Sequence, residues 1–274
     1  ILESVERGRL GRNSWLGAGS RIVDFDEAAE LGLPIVGYLA YDHAARLEPT
    51  VPMPEAGRGF PESRLVVCET LVRFDHGAGI AEVLAGDAAE IAGRLEAGIA
   101  WRREPRGKPA PIRRSPDRAR YIEMVEAVKE HIVVGDVFQC VPSQRAERPT
   151  SASPLEIYRA LRRVNPSPYL FLLELGGVAL VGSSPERLVA CEHGHASLCP
   201  IAGTTEPTDG DVERLLSSEK DRAEHVMLVD LGRNDLSRVC KAGTVRVSRD
   251  MEVERFSHVS HLVSEVVGEL RDGV

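Results

Sequence analysis

The sequence predicts an α+β fold in which antiparallel strands are followed by long helices. Two hairpin signals, each a pair of short strand-like segments around a glycine-containing turn, stand in the second half of the chain. Helical spacing of apolar residues follows over about Asp211–Leu231 and again over Ser257–Leu270. This order favours antiparallel sheets with added helices over a parallel array of alternating strands and helices.

The four hairpin segments are consecutive in the sequence. They are Tyr169–Leu175 and Val178–Gly182 around Gly176-Gly177, and Arg187–Glu192 and His195–Pro200 around His193-Gly194. The last predicted helix has an apolar side made of Val259, Leu262, Val263, Val266 and Leu270. That spacing is typical of a helix with one buried face.

The first half of the chain carries weaker signals. Ile35–Tyr41 and Leu65–Phe74 resemble strands, and Asp87–Ala100 resembles a helix. A proline-rich loop covers Glu48–Pro61, and residues 104–116 are rich in proline and basic side chains, as connectors often are. We therefore expect an N-terminal domain over residues 1–110 and a second domain over 111–274.

Helix boundaries are clearer after this connector. Ser115-Pro116 predicts the N-cap and first residue of a helix that Gly135 ends. A strand is predicted over Val137–Val141, and Ser153 with Glu156 forms a capping box for a helix that runs to Val164.

The composition is that of an ordinary globular protein, with 43% hydrophobic and 28% charged residues. The formal net charge of −8 does not favour a nucleic acid or an anionic membrane as partner. The sequence shows neither a signal peptide nor an apolar run of about 20 residues, so we expect a cytoplasmic protein.

Five scattered cysteines without a CxxC pair indicate reduced thiols rather than a disulfide framework. A zinc site is an alternative for the one local group of cysteines and histidines, which consists of Cys191, His193, His195 and Cys199. Alternating residues on an antiparallel hairpin explain the same pattern, and we favour that interpretation.

Three short patterns could carry chemistry. Asp221 and Glu224 are three residues apart in a predicted helix, so their carboxylates share a face and could hold Mg²⁺, although a solvated charged face has the same pattern. His261, with His258 nearby, could move protons or be an ordinary polar residue. Gly203-Thr204 could offer an N–H and a hydroxyl to a carboxylate, or form a plain turn.

These patterns together resemble the chorismate-utilising enzyme family in order and spacing. The matching segments are PIAGT (200–204), EKDRAEHVMLVDLGRNDL (219–236), VERFSHVSHLVSEVVGEL (253–270), GDVFQCVPSQR (135–145), NPSPYLFLL (165–173) and LVGSSPERLV (180–189). Residues 1–17, ILESVERGRLGRNSWLG, resemble a segment of the anthranilate synthase large subunit (component I). The resemblance implies antiparallel β-sheets packed as a sandwich, with helices on the outside.

Two positions separate the branches of this family. The isochorismate and salicylate synthases have a lysine where this chain has Gln139, and aminodeoxychorismate synthases have one where it has Ala202. The absence of both lysines implies that ammonia is the nucleophile and that the products are anthranilate and pyruvate. Aminodeoxychorismate synthase component I remains the alternative within the family, and a non-catalytic tryptophan-binding regulatory protein is the alternative outside it.

The resemblance also implies roles for single residues. Glu224 would be a Mg²⁺ ligand, with Asp221 beside it, although Asp221 stands where a glutamate is usual. Gly203 and Thr204 would contact chorismate, and His261 would be the acid/base residue.

A second site for tryptophan as feedback inhibitor is implied as well, with Ser4, Pro168, Tyr169 and Leu170 as its lining. Leu170 replaces a usual methionine and preserves its volume. A glutamine amidotransferase subunit would supply ammonia, in a hetero-oligomer. The chain lacks the family's C-terminal segments, one of which carries a further Mg²⁺-binding glutamate, so we expect it to be a piece of a longer enzyme and inactive alone.

Overall fold

The computed structural model describes residues 1–4, 12–52, 60, 63–98, 108–255 and 259–273. Parts of four sequence patterns lie outside these residues: the middle of the N-terminal motif (5–11), the proline-rich loop (53–59, 61), the connector (104–107) and the stretch with His258 (256–258). The chain divides into two compact units, Ile1–Ala97 with Pro154–Val274 and Gly98–Ser153. The boundary near residue 110 stays a prediction.

The secondary structure mixes short helices with many strands. Up to the smaller unit, the elements are β1 (Leu2–Glu3), β2 (Asn13–Ala18), β3 (Ile22–Val23), α1 (Phe25–Leu31), β4 (Ile35–Leu39), α2 (Ala44–Leu47), β5 (Ser63–Val67), β6 (Thr70–Asp75), β7 (Ile80–Ala85) and α3 (Ala88–Ala97). The smaller unit contains β8 (Arg113–Ser115), α4 (Arg118–Val134) and β9 (Arg145–Glu147). The remaining elements are α5 (Pro154–Val164), β10 (Tyr169–Leu175), β11 (Val178–Ser184), β12 (Ala190–Glu192), β13 (His195–Leu198), β14 (Ile201–Thr205), α6 (Asp211–Ser217), α7 (Glu219–Ser237), β15 (Arg246–Arg255) and β16 (Ser260–Glu269).

Two sheets organise the larger unit, and all their strand pairs are antiparallel. The six-stranded sheet has the order β11-β10-β1-β2-β6-β7. In the five-stranded sheet the order is β12-β13-β16-β14, and β15 also pairs with β16. A small sheet β3-β5-β4 completes the unit. The predicted α+β class with antiparallel sheets is confirmed.

Helices cover these sheets with apolar side chains. On the five-stranded sheet, Val229 and Leu236 of α7 cluster with Ala196, Cys240 and Val266. On the six-stranded sheet, Tyr158 of α5 clusters with Leu170 and Leu172. Burial of large apolar side chains contributes about 1.5–3 kcal/mol each, so these clusters account for the attachment of α5 and α7 to the sheets.

The predicted helix over Ser257–Leu270 is wrong, because this segment contains strand β16. Successive residues of β16 are buried, so both of its faces are covered. Strands β13, β14 and β15 pair along its edges, and helices α6 and α7 pack against it. A strand that is buried on both faces shows no alternation of polar and apolar residues, so an apolar run can mimic helical spacing.

Three other predicted elements of the larger unit differ from expectation. Leu65–Phe74 is not one strand but parts of β5 and β6, which belong to different sheets. Asp211–Leu231 is two helices, because Ser218 has an extended backbone and caps α7 by accepting a hydrogen bond from the Asp221 N–H. The hairpin strand that was predicted to begin at Arg187 begins at Ala190.

In the smaller unit, α4 begins after Asp117, whose carboxylate accepts a hydrogen bond from the Arg120 N–H at 2.9 Å. The predicted cap at Ser115-Pro116 is therefore wrong by two residues, while Gly135 ends the helix with φ +86° as predicted. Val137–Val141 is not a strand, since it pairs with no strand of the described part, whereas β9 pairs with β8.

Candidate functional site

A β-bulge at Gly203 organises the first candidate site. Ala202 of β14 pairs with Leu262 of β16, but after the bulge Thr204 pairs with His261. Gly203 has φ +67°, which glycine adopts without the strain that a side chain would add. The bulge therefore places the Gly203 carbonyl and the Thr204 hydroxyl beside the His261 ring.

The His261 ring is held through one nitrogen. Its Nδ1 lies 2.9 Å from the Gly203 carbonyl oxygen and 3.1 Å from Thr204 Oγ1. A carbonyl oxygen can only accept, so Nδ1 carries the hydrogen and donates it to Gly203. In the neutral ring Nε2 is then the basic nitrogen, which is the arrangement that an acid/base histidine needs.

Helix α7 approaches this bulge closely. A Cβ atom added at Gly203 would lie 3.1 Å from Asp221 Cβ and 3.2 Å from Leu215 Cδ2. Any larger residue at position 203 would therefore push α6 and α7 away from β14. Gly203, which the sequence analysis selected together with Thr204, thus also leaves the room that lets Asp221 lie close to the site.

Glu224 lies one turn beyond Asp221 on the same face of α7, and both residues are half-buried. No cluster of three or more histidine, cysteine, aspartate or glutamate side chains suited to a metal occurs within the described ranges. Mg²⁺ often takes only one or two carboxylates and fills its other positions with water and substrate oxygens. The pair of carboxylates therefore fits Mg²⁺ but not a metal that needs a complete protein cage.

A buried hydrogen bond ties α7 to β16. His225 and Ser264 are fully buried, and His225 Nε2 lies 2.7 Å from Ser264 Oγ. Ser264 Oγ also accepts a hydrogen bond from the Met251 N–H of β15 at 2.9 Å. This contact holds the helix that carries Glu224 against the strand that carries His261.

Glu186 is a site residue that the sequence analysis missed. Partial burial raises the pKa of the Glu186 carboxyl, and the nearby His261 partly offsets this effect. Glu186 follows β11, and its own backbone N–H and carbonyl both bond to Ser184 Oγ, at 3.2 and 3.0 Å. The SSPER segment was recognised as a family motif, but only the fold shows that its glutamate belongs with His261.

The second candidate site is a cavity of about 890 Å³ between the six-stranded and five-stranded sheets. The structure brings all four predicted tryptophan-site residues together in its wall, namely Ser4, Pro168, Tyr169 and Leu170. They come from the ends of β1 and β10, which are adjacent strands. Arg162 of α5 donates hydrogen bonds to Glu3, the neighbour of Ser4, and so fixes β1 in place.

Three buried polar atoms in the cavity wall have no hydrogen-bond partner among the described residues: Ser4 Oγ, Asn13 Oδ1 and Arg187 Nε. Leaving such a group unpaired costs about 1–3 kcal/mol. Three unpaired polar atoms in one cavity wall are therefore typical of a site that binds a polar ligand. Sequence analysis missed Asn13 and Arg187. Both stand within family motifs, but nothing in the motifs shows where their side chains lie.

Among the described residues, no helix is long and apolar enough to cross a membrane.

Comparison with protein families shows that residues 12–274 match the model of the chorismate binding enzymes. The chain is 39% identical to "Probable anthranilate synthase component 1" of Schizosaccharomyces pombe, over 99% of this chain and 66% of that protein. It is 42% identical to anthranilate synthase component 1 of Streptomyces coelicolor, over 88% of this chain and 54% of the relative.

A solved structure agrees with these relatives. Anthranilate synthase component I from Streptococcus pneumoniae superposes with a TM-score of 0.84 at 29% identity, covering 99% of this chain and 72% of that one. The chain thus spans only about half to two thirds of the length of the curated relatives it matches. The match over nearly its whole length shows that the chain belongs to the family of chorismate binding enzymes.

Proposed function

We propose that the protein that contains this chain converts chorismate and ammonia into anthranilate and pyruvate and is inhibited by tryptophan. The observation that carries the catalytic part is the meeting of Gly203, Thr204 and His261 with Asp221 at one bulge. These residues come from three separate segments, and each was assigned to the reaction by resemblance before their positions were known.

In this proposal Gly203 and Thr204 orient chorismate beside the ring of His261. Glu224, with Asp221 beside it, would hold Mg²⁺, which would offset the negative charge of a substrate carboxylate. The half-buried position of both carboxylates, one turn apart on α7, supports this assignment.

Proton transfer would involve His261 and Glu186. As ammonia adds to the ring, the hydroxyl group leaves with a proton as water, and Glu186 suits this donation because its raised pKa keeps it protonated at higher pH. When pyruvate leaves, the ring loses a proton, and Nε2 of His261 is the basic nitrogen that can accept it. Ala202 offers no amine that could attack the ring, which favours free ammonia.

Ammonia would come from glutamine through a glutamine amidotransferase partner. The relatives are each named component 1, which supports a second component. Inhibition by tryptophan is supported by the inter-sheet cavity, whose wall combines aromatic side chains such as Trp15 and Tyr169 with unpaired polar atoms.

The test uses the full-length protein with chorismate, Mg²⁺ and saturating ammonium, which removes the need for the partner. Products are identified by mass spectrometry. We expect anthranilate and pyruvate. Aminodeoxychorismate, which retains the pyruvyl group, would favour the folate-branch alternative and refute the role given to Ala202. Tryptophan binding without any turnover of chorismate would instead favour a regulatory protein.

A further inference from the structure

Two consecutive residues, Glu186 and Arg187, belong to different candidate sites. Glu186 interacts electrostatically with His261 in the catalytic cluster, whereas Arg187 lines the inter-sheet cavity. Neighbouring Cα atoms are only 3.8 Å apart, so a movement of one residue is passed to the other. The cavity and the catalytic cluster therefore meet at this point of the chain.

The guanidinium group of Arg187 is only partly satisfied. Nη2 donates to Ser197 Oγ at 2.8 Å and lies 3.4 Å from Cys199 Sγ, while the buried Nε has no partner in the part of the chain that the structure describes. A cationic donor that is buried and unpaired in a cavity wall favours an anionic ligand group, above all a carboxylate.

The rest of the wall suits the other parts of an amino acid. Glu265 is buried at 8% exposure and already accepts a hydrogen bond from Ser248, and its carboxylate could also pair with an ammonium group. Among the described residues, Asn13 Oδ1 is an acceptor without a donor. Trp15, Tyr169 and Phe171 present aromatic rings. Groups of both charges beside flat apolar surface favour a zwitterion with an aromatic side chain.

The backbone around Glu186 is constrained in a way that can transmit a shift. Ser184, whose side chain holds the Glu186 backbone, is paired with Tyr169 of the cavity wall. Ser183 is likewise bonded to Ser167 Oγ at 2.9 Å, just before that wall begins. Arg187 directly follows Glu186, and Tyr169 pairs with Ser184 just before it. A ligand that contacts Arg187 or Tyr169 can therefore shift the turn that carries Glu186.

We propose that Arg187 binds the carboxylate of the aromatic amino acid in the inter-sheet cavity and that this contact couples cavity occupancy to the position of Glu186 at the catalytic cluster. The inference rests on the proposed feedback inhibition and adds to it the residue that recognises the inhibitor's carboxylate and passes on the signal. The coupling is reciprocal: a substrate that favours one position of Glu186 changes tryptophan affinity by the same factor.

The experiment compares the full-length wild type with Arg187→Gln and Arg187→Lys. Calorimetry measures the affinity for L-tryptophan and for tryptamine, which lacks the carboxylate. The wild type should prefer tryptophan, and Arg187→Gln should reduce this preference about 10- to 100-fold, as expected for a hydrogen bond between charged groups. Arg187→Lys, which keeps the charge, should restore part of it.

Arg246→Gln is the matched control, because Arg246 lines the same cavity but is exposed. It should change the tryptophan affinity less than about threefold, as expected for a solvated charge. The second measurement is the ratio of chorismate kcat/KM without and with saturating tryptophan. Arg187→Gln should bring this ratio closer to one even when the cavity is filled.

Outcomes separate the inference from the function on which it rests. If Arg187→Gln and Arg187→Lys discriminate tryptophan from tryptamine like the wild type, the carboxylate contact is refuted while feedback inhibition stands. If discrimination falls but inhibition at saturation is complete, the coupling is refuted. If the wild type does not bind tryptophan at all, the proposed inhibition and the inference fail together.

Discussion

The cavity and the catalytic cluster satisfy their polar groups in opposite ways. Buried atoms of the cavity wall, including Ser4 Oγ and Asn13 Oδ1, have no hydrogen-bond partner within the described ranges. In the catalytic cluster, His261 is already bonded to Gly203 and lies beside Thr204, and the carboxylates of Asp221 and Glu224 are half-exposed to water. The hydrogen bonds missing from the cavity wall therefore form only when a ligand binds, whereas the protein's own hydrogen bonds already orient His261 in the catalytic cluster.

This contrast follows from what each site has to do. A binding site can leave polar groups unpaired because the ligand restores the missing hydrogen bonds. A catalytic histidine must instead keep one tautomer and one orientation while substrates come and go. Variants of the full-length protein can test this contrast.

His261→Ala should reduce kcat about 100- to 10,000-fold, the usual contribution of a positioned acid/base group. Its effect on tryptophan binding without chorismate should stay within about twofold, since His261 is not among the described residues that line the cavity. Steady-state kinetics and calorimetry measure the two quantities. A loss of tryptophan affinity as large as the loss of kcat would show that the two sites are not separate.

Glu224→Gln should raise the half-saturating Mg²⁺ concentration at least about 10-fold, because an amide oxygen carries no charge for a hard cation. Direct titration of Mg²⁺ by calorimetry provides a readout besides activity. Glu219→Gln is the control, since Glu219 lies on the same helix but is exposed. Equal effects of Glu224→Gln and Glu219→Gln on Mg²⁺ binding would show that Glu224 is not a ligand of the proposed metal.

Ser4→Ala should lower the affinity for tryptophan about 2- to 10-fold, because the ligand loses one hydrogen bond. Ser248→Ala is the matched change, since Ser248 lines the same cavity but already donates to Glu265 at 2.8 Å. Its effect on tryptophan affinity should be smaller. The opposite order would mean that unpaired atoms do not mark the ligand's contacts.

Asp211 offers a test by pH. Its carboxylate is fully buried, accepts hydrogen bonds from Arg255 at 2.6–2.7 Å and from Ser260 at 2.7 Å, and these bonds hold its pKa well below the usual range. A lowered pKa in the folded state stabilises the protein above the pKa of the unfolded chain, and this contribution is lost as the pH falls.

The wild type should therefore lose more of its free energy of unfolding than Asp211→Asn when the pH falls from about 5 to 3. Urea unfolding at several pH values gives both slopes. Because Ser260 precedes His261, the same change tests how firmly the catalytic strand is anchored. Parallel slopes would show that Asp211 titrates normally in the folded protein.

Local patterns predicted many elements of this fold, but they did not reveal which segments meet. The glycine turn of β10 and β11 and the end of α4 at Gly135 followed from residues next to them in sequence. The segment of β16 was mistaken for a helix because burial on both faces comes from strands and helices elsewhere in the chain. Arg187 and Asn13 were missed for the same reason, since their roles depend on the packing of two sheets.

The two-residue strand β1 has a consequence for how the protein is made. Leu2 pairs with Phe171 on one side and with Trp15 on the other, so among the described strands β1 is the one that joins β10 and β11 to the rest of the six-stranded sheet. At 5–20 residues per second, a ribosome needs roughly 10 to 30 s to make the chain between β1 and β10. During this time the edge of β1 is open to wrong partners. We therefore expect nascent chains that stop before residue 169 to engage chaperones and those that extend past residue 184 to release them.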